Sequence, residues 1–202
     1  MRIYKRPKAP QLVYQLHIRL MDSEPEIWRR ILVSADIDLN NFHRVIQEAF
    51  EWEGYHLFRF SQYEPWSGNV VFPPTDEYGA IKMPNEMGIY DAPPLLRDVL
   101  EVGGRLFYVY DFGDDWQHEI LCEALMIKPP KIRLPLCTDG ANHAAFEDVG
   151  GVGGYMDIVH TIANQDKPEY QHAVAELIDA YGKRILKFDA AAFDPKKVKF
   201  SR

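Results

Sequence analysis

The sequence has little cysteine, no long hydrophobic run and no excess of positive charge. Its two cysteines, Cys122 and Cys137, form no C-x-x-C pair, which excludes a disulfide framework and a zinc ribbon. No apolar stretch approaches the ~20 residues that span a membrane, and the start lacks the apolar centre of a secretory signal, so we expect a cytoplasmic protein without a membrane partner. The net charge of −7 argues against broad nucleic-acid binding, which depends on Lys and Arg at phosphates.

The remaining composition is that of a globular protein. The 202 residues are 47% hydrophobic and 26% charged, which is enough for a core without disulfides. We expect residues 1–11 to form a basic N-terminal arm and residues 12–202 to form a single domain. Residues 65–94 are expected to form a long loop, and loops of this length often carry function.

Hydrophobic periodicity predicts an α+β fold in a single domain. The predicted strands are Val13–Leu20, Ile27–Val33, His56–Tyr63, Asn69–Phe72, Leu106–Tyr110 and Trp116–Leu125. The predicted helices are Leu39–Trp52, Pro94–Leu100, Tyr155–Asn164 and Glu169–Tyr181, with an irregular stretch at Pro129–Gly154 and a last strand favoured near Lys197–Phe200. Together these elements predict an antiparallel or mixed sheet of about five or six strands, packed with three or four helices.

Residues 110–120, YDFGDDWQHEI, contain the triplet that holds magnesium in protein kinases. No glycine-rich loop or HRD-type catalytic loop precedes it, so we interpret it as a turn between two strands. In the second strand, His118 shares the apolar face with Trp116. Three interpretations stay open: a buried hydrogen-bonded histidine, a metal or acid–base site with Asp114 and Asp115, or a polar-ligand site without metal.

A second acidic stretch, FEDVGGVGGY, contains Glu147, Asp148, Gly150 and Gly151. Its glycines allow a tight left-handed path into the following helix, and its carboxylates suit a helix N-terminus. If the two acidic stretches meet, they gather oxygen and imidazole ligands of the kind that manganese, iron or zinc prefer. The predicted metal ligands are Asp114, His118, Glu147 and Asp148, and the predicted ligand contacts are Asp111, Asp115, Trp116, Gly150 and Gly151. His43 and His56 flank the first helix and are not expected to be ligands.

Four segments together resemble one known family: Glu26–Val33, Phe42–Phe60, Tyr108–Ile120 and Glu147–Tyr155. Their order and spacing are similar to the plasmid pRiA4b ORF-3-like family, and the resemblance covers roughly residues 12–195. That family implies a fold and shared motifs but no reaction. Some of its members carry transposon or resolvase labels.

The sequence departs from the family at His143–Gly151, where relatives often have cysteines around a Pro-Pro-Glu-Asp run. Ala144 and Ala145 stand in that stretch, so any metal or redox site built on those cysteines in relatives is missing here. Resolvase chemistry is also unsupported. A serine recombinase needs a nucleophilic serine among arginines near its N-terminus, whereas the first serine here, Ser23, lies in an acidic turn.

These observations favour a non-catalytic domain that binds a protein or a small-molecule ligand. We expect its groove between the turn at Asp111–Asp115, the loop at Glu147–Gly151 and the segment Pro65–Pro94. A divalent metal is the one cofactor that the acidic and histidine residues suggest. The alternative is a metal-dependent hydrolase that uses this cluster to activate a water. A third hypothesis is a transposon-linked DNA accessory factor.

Overall fold

The structure is a computed structural model that describes residues 10–74 and 93–201. Most of the expected basic arm, residues 1–9, and most of the expected 65–94 loop therefore lie outside the described residues. A seven-stranded sheet in the order β4-β3-β5-β6-β1-β2-β7 forms the centre, and all neighbouring strands are antiparallel. The strands are β1 Leu12–Leu20, β2 Trp28–Ser34, β3 Phe58–Ser61, β4 Val70–Phe72, β5 Arg105–Tyr110, β6 Trp116–Ile127 and β7 Leu136–Ala141.

Helices pack against this sheet and confirm the predicted α+β class. They are α1 Leu39–Ala49, α2 Leu96–Val99, α3 Gly151–Ala163 and α4 Gln171–Tyr181, with 3₁₀ turns at Pro168–Tyr170 and Lys183–Lys187. The predicted cap of α1 is present, because the Asp38 carboxylate accepts the Asn41 backbone N–H at 2.8 Å. In the part of the chain that the structure describes, no helix is long and apolar enough to cross a membrane.

The sheet has seven strands, one or two more than predicted, and three elements differ most from the sequence prediction. β7 lies inside Pro129–Gly154, which was predicted to be irregular; Cys137 is its one buried residue, so it shows no alternation. Helix α3 begins at Gly151 rather than at Tyr155, because the glycines themselves form its first turn. The residues Lys197–Phe200 do not form a strand.

The two faces of the sheet have different chemistry. One face is apolar and packs against α1, where Phe42 stacks on Phe60 at 5.8 Å between ring centroids. The other face carries ion pairs, such as Arg30 with Glu123 at 2.7 Å. The large buried side chains, including nearly all of the aromatic core, therefore lie on one side of the sheet.

Arg29 locks the end of α1 to the sheet. Its side chain is fully buried, and it donates to the backbone carbonyls of Ala49 at 3.1 Å and Ala141 at 2.9 Å. Its guanidinium lies 3.9 Å from the ring centroid of Phe193, and burial lowers its pKa to about 10. Because Ala49 is the last residue of α1, Arg29 also fixes where the chain leaves the helix toward the candidate site.

Candidate ligand and metal site

The turn between β5 and β6 is built by aspartates in left-handed backbone conformations. Asp111 has φ 53° and Asp115 has φ 58°, and the Asp115 N–H donates to the Asp111 carbonyl at 2.6 Å. The Asp111 side chain also accepts the Gly113 N–H at 3.0 Å. Aspartate tolerates this conformation better than most residues, so the DFGDD stretch is the turn that its composition predicts.

The two acidic stretches meet in space. The Asp114 carboxylate accepts the backbone N–H groups of Val149 at 3.1 Å and Gly150 at 3.2 Å. Gly151 has φ +70°, and a Cβ there would collide with the Asp114 carbonyl. The glycine is therefore required both by its backbone conformation and by the close approach of the turn. The sequence alone could not show whether the two acidic stretches meet, and the structure shows that they do.

The side chains of His56, Asp111 and Asp148 converge beside this contact, and we call them the His56 triad. His56 Nε2 lies 3.0 Å from Asp148 Oδ1 and 3.5 Å from Asp111 Oδ2. One ligand atom from each residue lies within 4.8 Å of the other two. Among residues 10–74 and 93–201, this is the only group of three or more His, Cys, Asp or Glu side chains with metal-compatible spacing.

Tyrosine hydroxyls hold the neighbouring carboxylates in place. Tyr55 donates to Asp148, and this hydrogen bond, helped by His56, lowers the pKa of the Asp148 carboxyl. The same bond raises the pKa of Tyr55 to about 12. Tyr110 donates to Glu147 at 2.6 Å, and Glu147 also accepts the Glu53 N–H at 2.7 Å. Asp148 therefore stays ionised at neutral pH, while both Glu147 oxygens already have protein donors.

His118 does not lie with these carboxylates. It is fully buried, and its ring contacts Phe50 at 4.7 Å, Trp52 at 5.3 Å and Tyr108 at 5.5 Å between centroids. Neither ring nitrogen has a hydrogen-bond partner of ordinary geometry within the described residues. Burial lowers the pKa of His118 to about 3, against smaller opposing contributions from backbone groups. The ligand set Asp114, His118, Glu147 and Asp148 stays a prediction, although only its acidic members lie in the contacting stretches.

The remaining predicted ligand contacts have structural partners. Asp115 accepts the Trp66 indole N–H at 2.9 Å and the Gln117 amide at 2.7 Å. Trp116 is fully buried, with its ring 5.3 Å from that of Trp52. Trp66 brings the start of the expected 65–94 segment to the turn, and residues 75–92 of that segment lie outside the described residues.

His56 is the functional candidate that sequence reasoning missed. The usable signal is strand register: β3 pairs with β5 so that Phe58 lies opposite Tyr110. Extending this antiparallel register places the residues before β3 beside Asp111, which follows β5. Without knowledge of that pairing, His56 is one histidine in a loop.

A cavity of about 730 Å³ adjoins the triad, and we call it the α1 cavity. It lies between α1 and the segment that follows this helix, and His56 is part of its wall. Its lining residues are Asn40, His43, Arg44, Gln47, Glu48, Trp52, Glu53, Gly54, Tyr55, His56, Leu57, Phe58 and Ser201. The volume lies in the range of small-molecule sites.

Comparisons with known proteins show the family and the fold of this chain. The family described as plasmid pRiA4b ORF-3-like protein matches residues 12–197. The uncharacterized protein y4hQ of Sinorhizobium fredii (strain NBRC 101917 / NGR234) is 32% identical over 166 residues, which are 80% of this chain and 77% of that protein. The crystal structure of MM3350, a protein of unknown function from Methanosarcina mazei Go1, is similar with a TM-score of 0.75 and 30% identity, covering 95% of this chain and 100% of that one. The chain belongs to the plasmid pRiA4b ORF-3-like protein family.

Proposed function

We propose that this chain is a non-catalytic binding domain for a small polar ligand. Its site is the place where the β5–β6 turn, the loop at 147–151 and the segment before β3 meet. The observation that supports it is the convergence of His56, Asp111 and Asp148 at the edge of the α1 cavity. Ligand sites are usually concave and contain a few convergent polar groups, and this place in the fold has both features.

The His56 triad suits a divalent cation, and this cation would in turn bind the small ligand; we call it the metal anchor. One imidazole and two carboxylates match the preferences of manganese, iron or zinc. The Asp148 side chain is 58% exposed to solvent, so an ion has an entry path. Three protein ligands also leave coordination positions open, and a small anionic or carbonyl ligand would occupy them.

Calorimetric titration of MnCl2 into chelator-treated, buffer-exchanged protein at pH 7 tests this proposal. We expect one binding site, and we expect Asp111→Asn to weaken it at least tenfold. Asp157→Asn is the matched control, because Asp157 is an exposed carboxylate on α3. Equal affinities in both variants, or no saturable binding of Mn²⁺, Zn²⁺ or Fe²⁺ to the unaltered protein, would contradict the metal anchor.

Metal-dependent hydrolysis is the second candidate function. The observation that favours it is the position of three ligand side chains next to a cavity, because a metal held by them would lower the pKa of a bound water. The test is turnover of p-nitrophenyl phosphate and of dipeptides with Mn²⁺ or Zn²⁺ present. Turnover that Asp111→Asn abolishes and Asp157→Asn preserves supports the hydrolase, and turnover unaffected by Asp111→Asn opposes it.

A further inference from the structure

Two polar side chains on α1 line the α1 cavity and have no partner in the described part of the chain. Asn40 and Arg44 lie one turn apart on this helix, so they share the flank that faces the cavity. Neither side chain makes a hydrogen bond or an ion pair with another described residue. The arginines that do form ion pairs with carboxylates are Arg19, Arg30, Arg97 and Arg105.

Asn40 is largely buried, but its amide group remains open to the cavity. The residue is 9% exposed. Gln47, on the same flank of α1, has an unpartnered amide oxygen that solvent cannot reach, whereas Asn40 has no such sealed atom. The Asn40 amide can therefore donate its N–H groups to a ligand oxygen that enters the cavity.

Arg44 is the only lysine or arginine in the lining of the α1 cavity. His43 beside it is neutral, because burial and the charge of Arg44 lower its pKa to about 3. Glu48 and Glu53 also line the cavity, and Glu48 Oε1 already accepts the Ser201 N–H at 3.0 Å. One anionic group can therefore bind Arg44, whereas the two glutamates disfavour further negative charge on a ligand.

We propose that the α1 cavity binds a monocarboxylic acid, whose carboxylate accepts hydrogen bonds from the Arg44 guanidinium and the Asn40 amide. A guanidinium matches the plane of a carboxylate, and such charge-assisted bonds are stronger than neutral ones. Trp52, Leu57 and Phe58 supply apolar surface for the body of the ligand. This inference rests on the proposed ligand site, because it assigns the anionic end of the ligand to the α1 side of the same cavity.

An acid and its neutral amide test the inference without a metal. Phenylacetate and phenylacetamide share one ring and one chain but differ in charge. Each is titrated into the unaltered protein at pH 7 and one ionic strength, with EDTA present, and the side-chain amide signals are followed by NMR. We expect phenylacetate to bind with a dissociation constant of about 1 mM, the value for a fragment of this size. We expect phenylacetamide to bind at least fivefold more weakly.

Variants assign this preference to the two side chains. Arg44→Gln is expected to abolish the preference for the acid, and Asn40→Ala is expected to weaken acid binding at least twofold. Arg184→Gln is the matched control, since Arg184 is an exposed arginine outside the cavity lining, and it should keep the preference. The proposal is overturned by equal binding of acid and amide to the unaltered protein, by no binding of the acid, or by an unchanged preference in folded Arg44→Gln.

The same titrations separate this inference from the metal anchor. Acid binding in EDTA, together with no saturable binding of Mn²⁺, would support the inference and contradict the metal anchor alone. Mn²⁺ binding that depends on Asp111, together with no binding of the acid, would overturn the inference and leave the metal anchor supported.

Discussion

His118 and His56 lie in two regions with opposite physical character. Around His118, Phe50, Trp52 and Tyr108 exclude water, and the ring is neutral without a polar partner of ordinary geometry in the described structure. Around His56, two carboxylates lie within 3.5 Å of one ring nitrogen. The first region stabilises the fold through packing, and the second has the charge and access that a ligand needs.

The difference shows that neighbouring positions in sequence are a poor guide to shared sites in this fold. His118 is close to Asp114 and Asp115 along the chain, but the strand turns its side chain into the core. His56 is distant from Asp111 along the chain, but the pairing of β3 with β5 brings the two together. Candidate ligands in this fold should therefore be chosen first by which residues the strand register brings together, and only then by their spacing along the chain.

The largest loss of stability should come from a substitution in the aromatic region around His118. Trp116→Ala removes a fully buried indole and should lower the free energy of unfolding by about 3–5 kcal/mol in urea denaturation. Tyr63→Ala is the control: Tyr63 is 76% exposed, so we expect a change within about 0.5 kcal/mol. Similar losses in both variants would show that the region around Trp116 is not the core.

The second largest loss of stability should come from a substitution at the contact between the two acidic stretches. Gly151→Ala places a Cβ against the Asp114 carbonyl in a left-handed conformation, and we expect a loss of about 1–3 kcal/mol. Gly153→Ala, in the same helix, meets no atom within 4 Å and should gain about 0.5–1 kcal/mol. Mn²⁺ affinity should fall in the first variant alone. Equal stabilities would mean that the two stretches do not need this close approach.

Acid should destabilise the protein through its buried histidines. The pKa of His118 is about 3 in the folded chain against an ordinary value of 6.5, so between these values the unfolded chain binds a proton that the folded chain does not. Stability should therefore fall as pH falls below 6.5, by about 1.4 kcal/mol per pH unit for each such histidine, with no contribution above 6.5. His118→Leu should reduce this slope in urea denaturation at pH 7, 6 and 5. An unchanged slope would place the proton uptake elsewhere.

The smallest stability effect should come from the triad itself. His56→Ala removes two partly exposed contacts between its imidazole and carboxylates, and exposed contacts of this kind contribute about 0–1 kcal/mol. His118→Ala, measured in the same way, should lose more because it opens a cavity in the aromatic core. A larger loss for His56→Ala would make the triad a structural element instead of a ligand site.

Much of the fold could be predicted from sequence because the elements are strongly patterned. β1 alternates buried and half-buried residues along its length, and Asp38 caps α1 as its sequence position indicates. β7 could not be predicted, since an edge strand with a single buried side chain has no periodic signal. The start of α3 was misplaced because glycine disfavours helices, and only the approach of Asp114 makes Gly151 necessary.

The candidate site was predicted only in outline. Composition indicated that the two acidic stretches carry polar chemistry, and the bonds from Val149 and Gly150 to Asp114 show that they meet. Identifying His56 as the histidine of the site required knowledge that β3 pairs with β5, because that pairing places His56 beside Asp111. The shared contact of His43 and Gln47 on α1 could not be found from sequence, because both side chains bond the Tyr108 hydroxyl on strand β5.

The most direct test of the central claim compares the two histidines in Mn²⁺ binding. Metal affinity is measured calorimetrically at pH 7 for the unaltered protein, His56→Gln and His118→Leu, with circular dichroism to confirm that each is folded. We expect His56→Gln to lose at least tenfold in affinity and His118→Leu to keep the affinity of the unaltered protein. Loss of affinity in folded His118→Leu with full retention in His56→Gln would contradict the assignment of the site to the His56 triad.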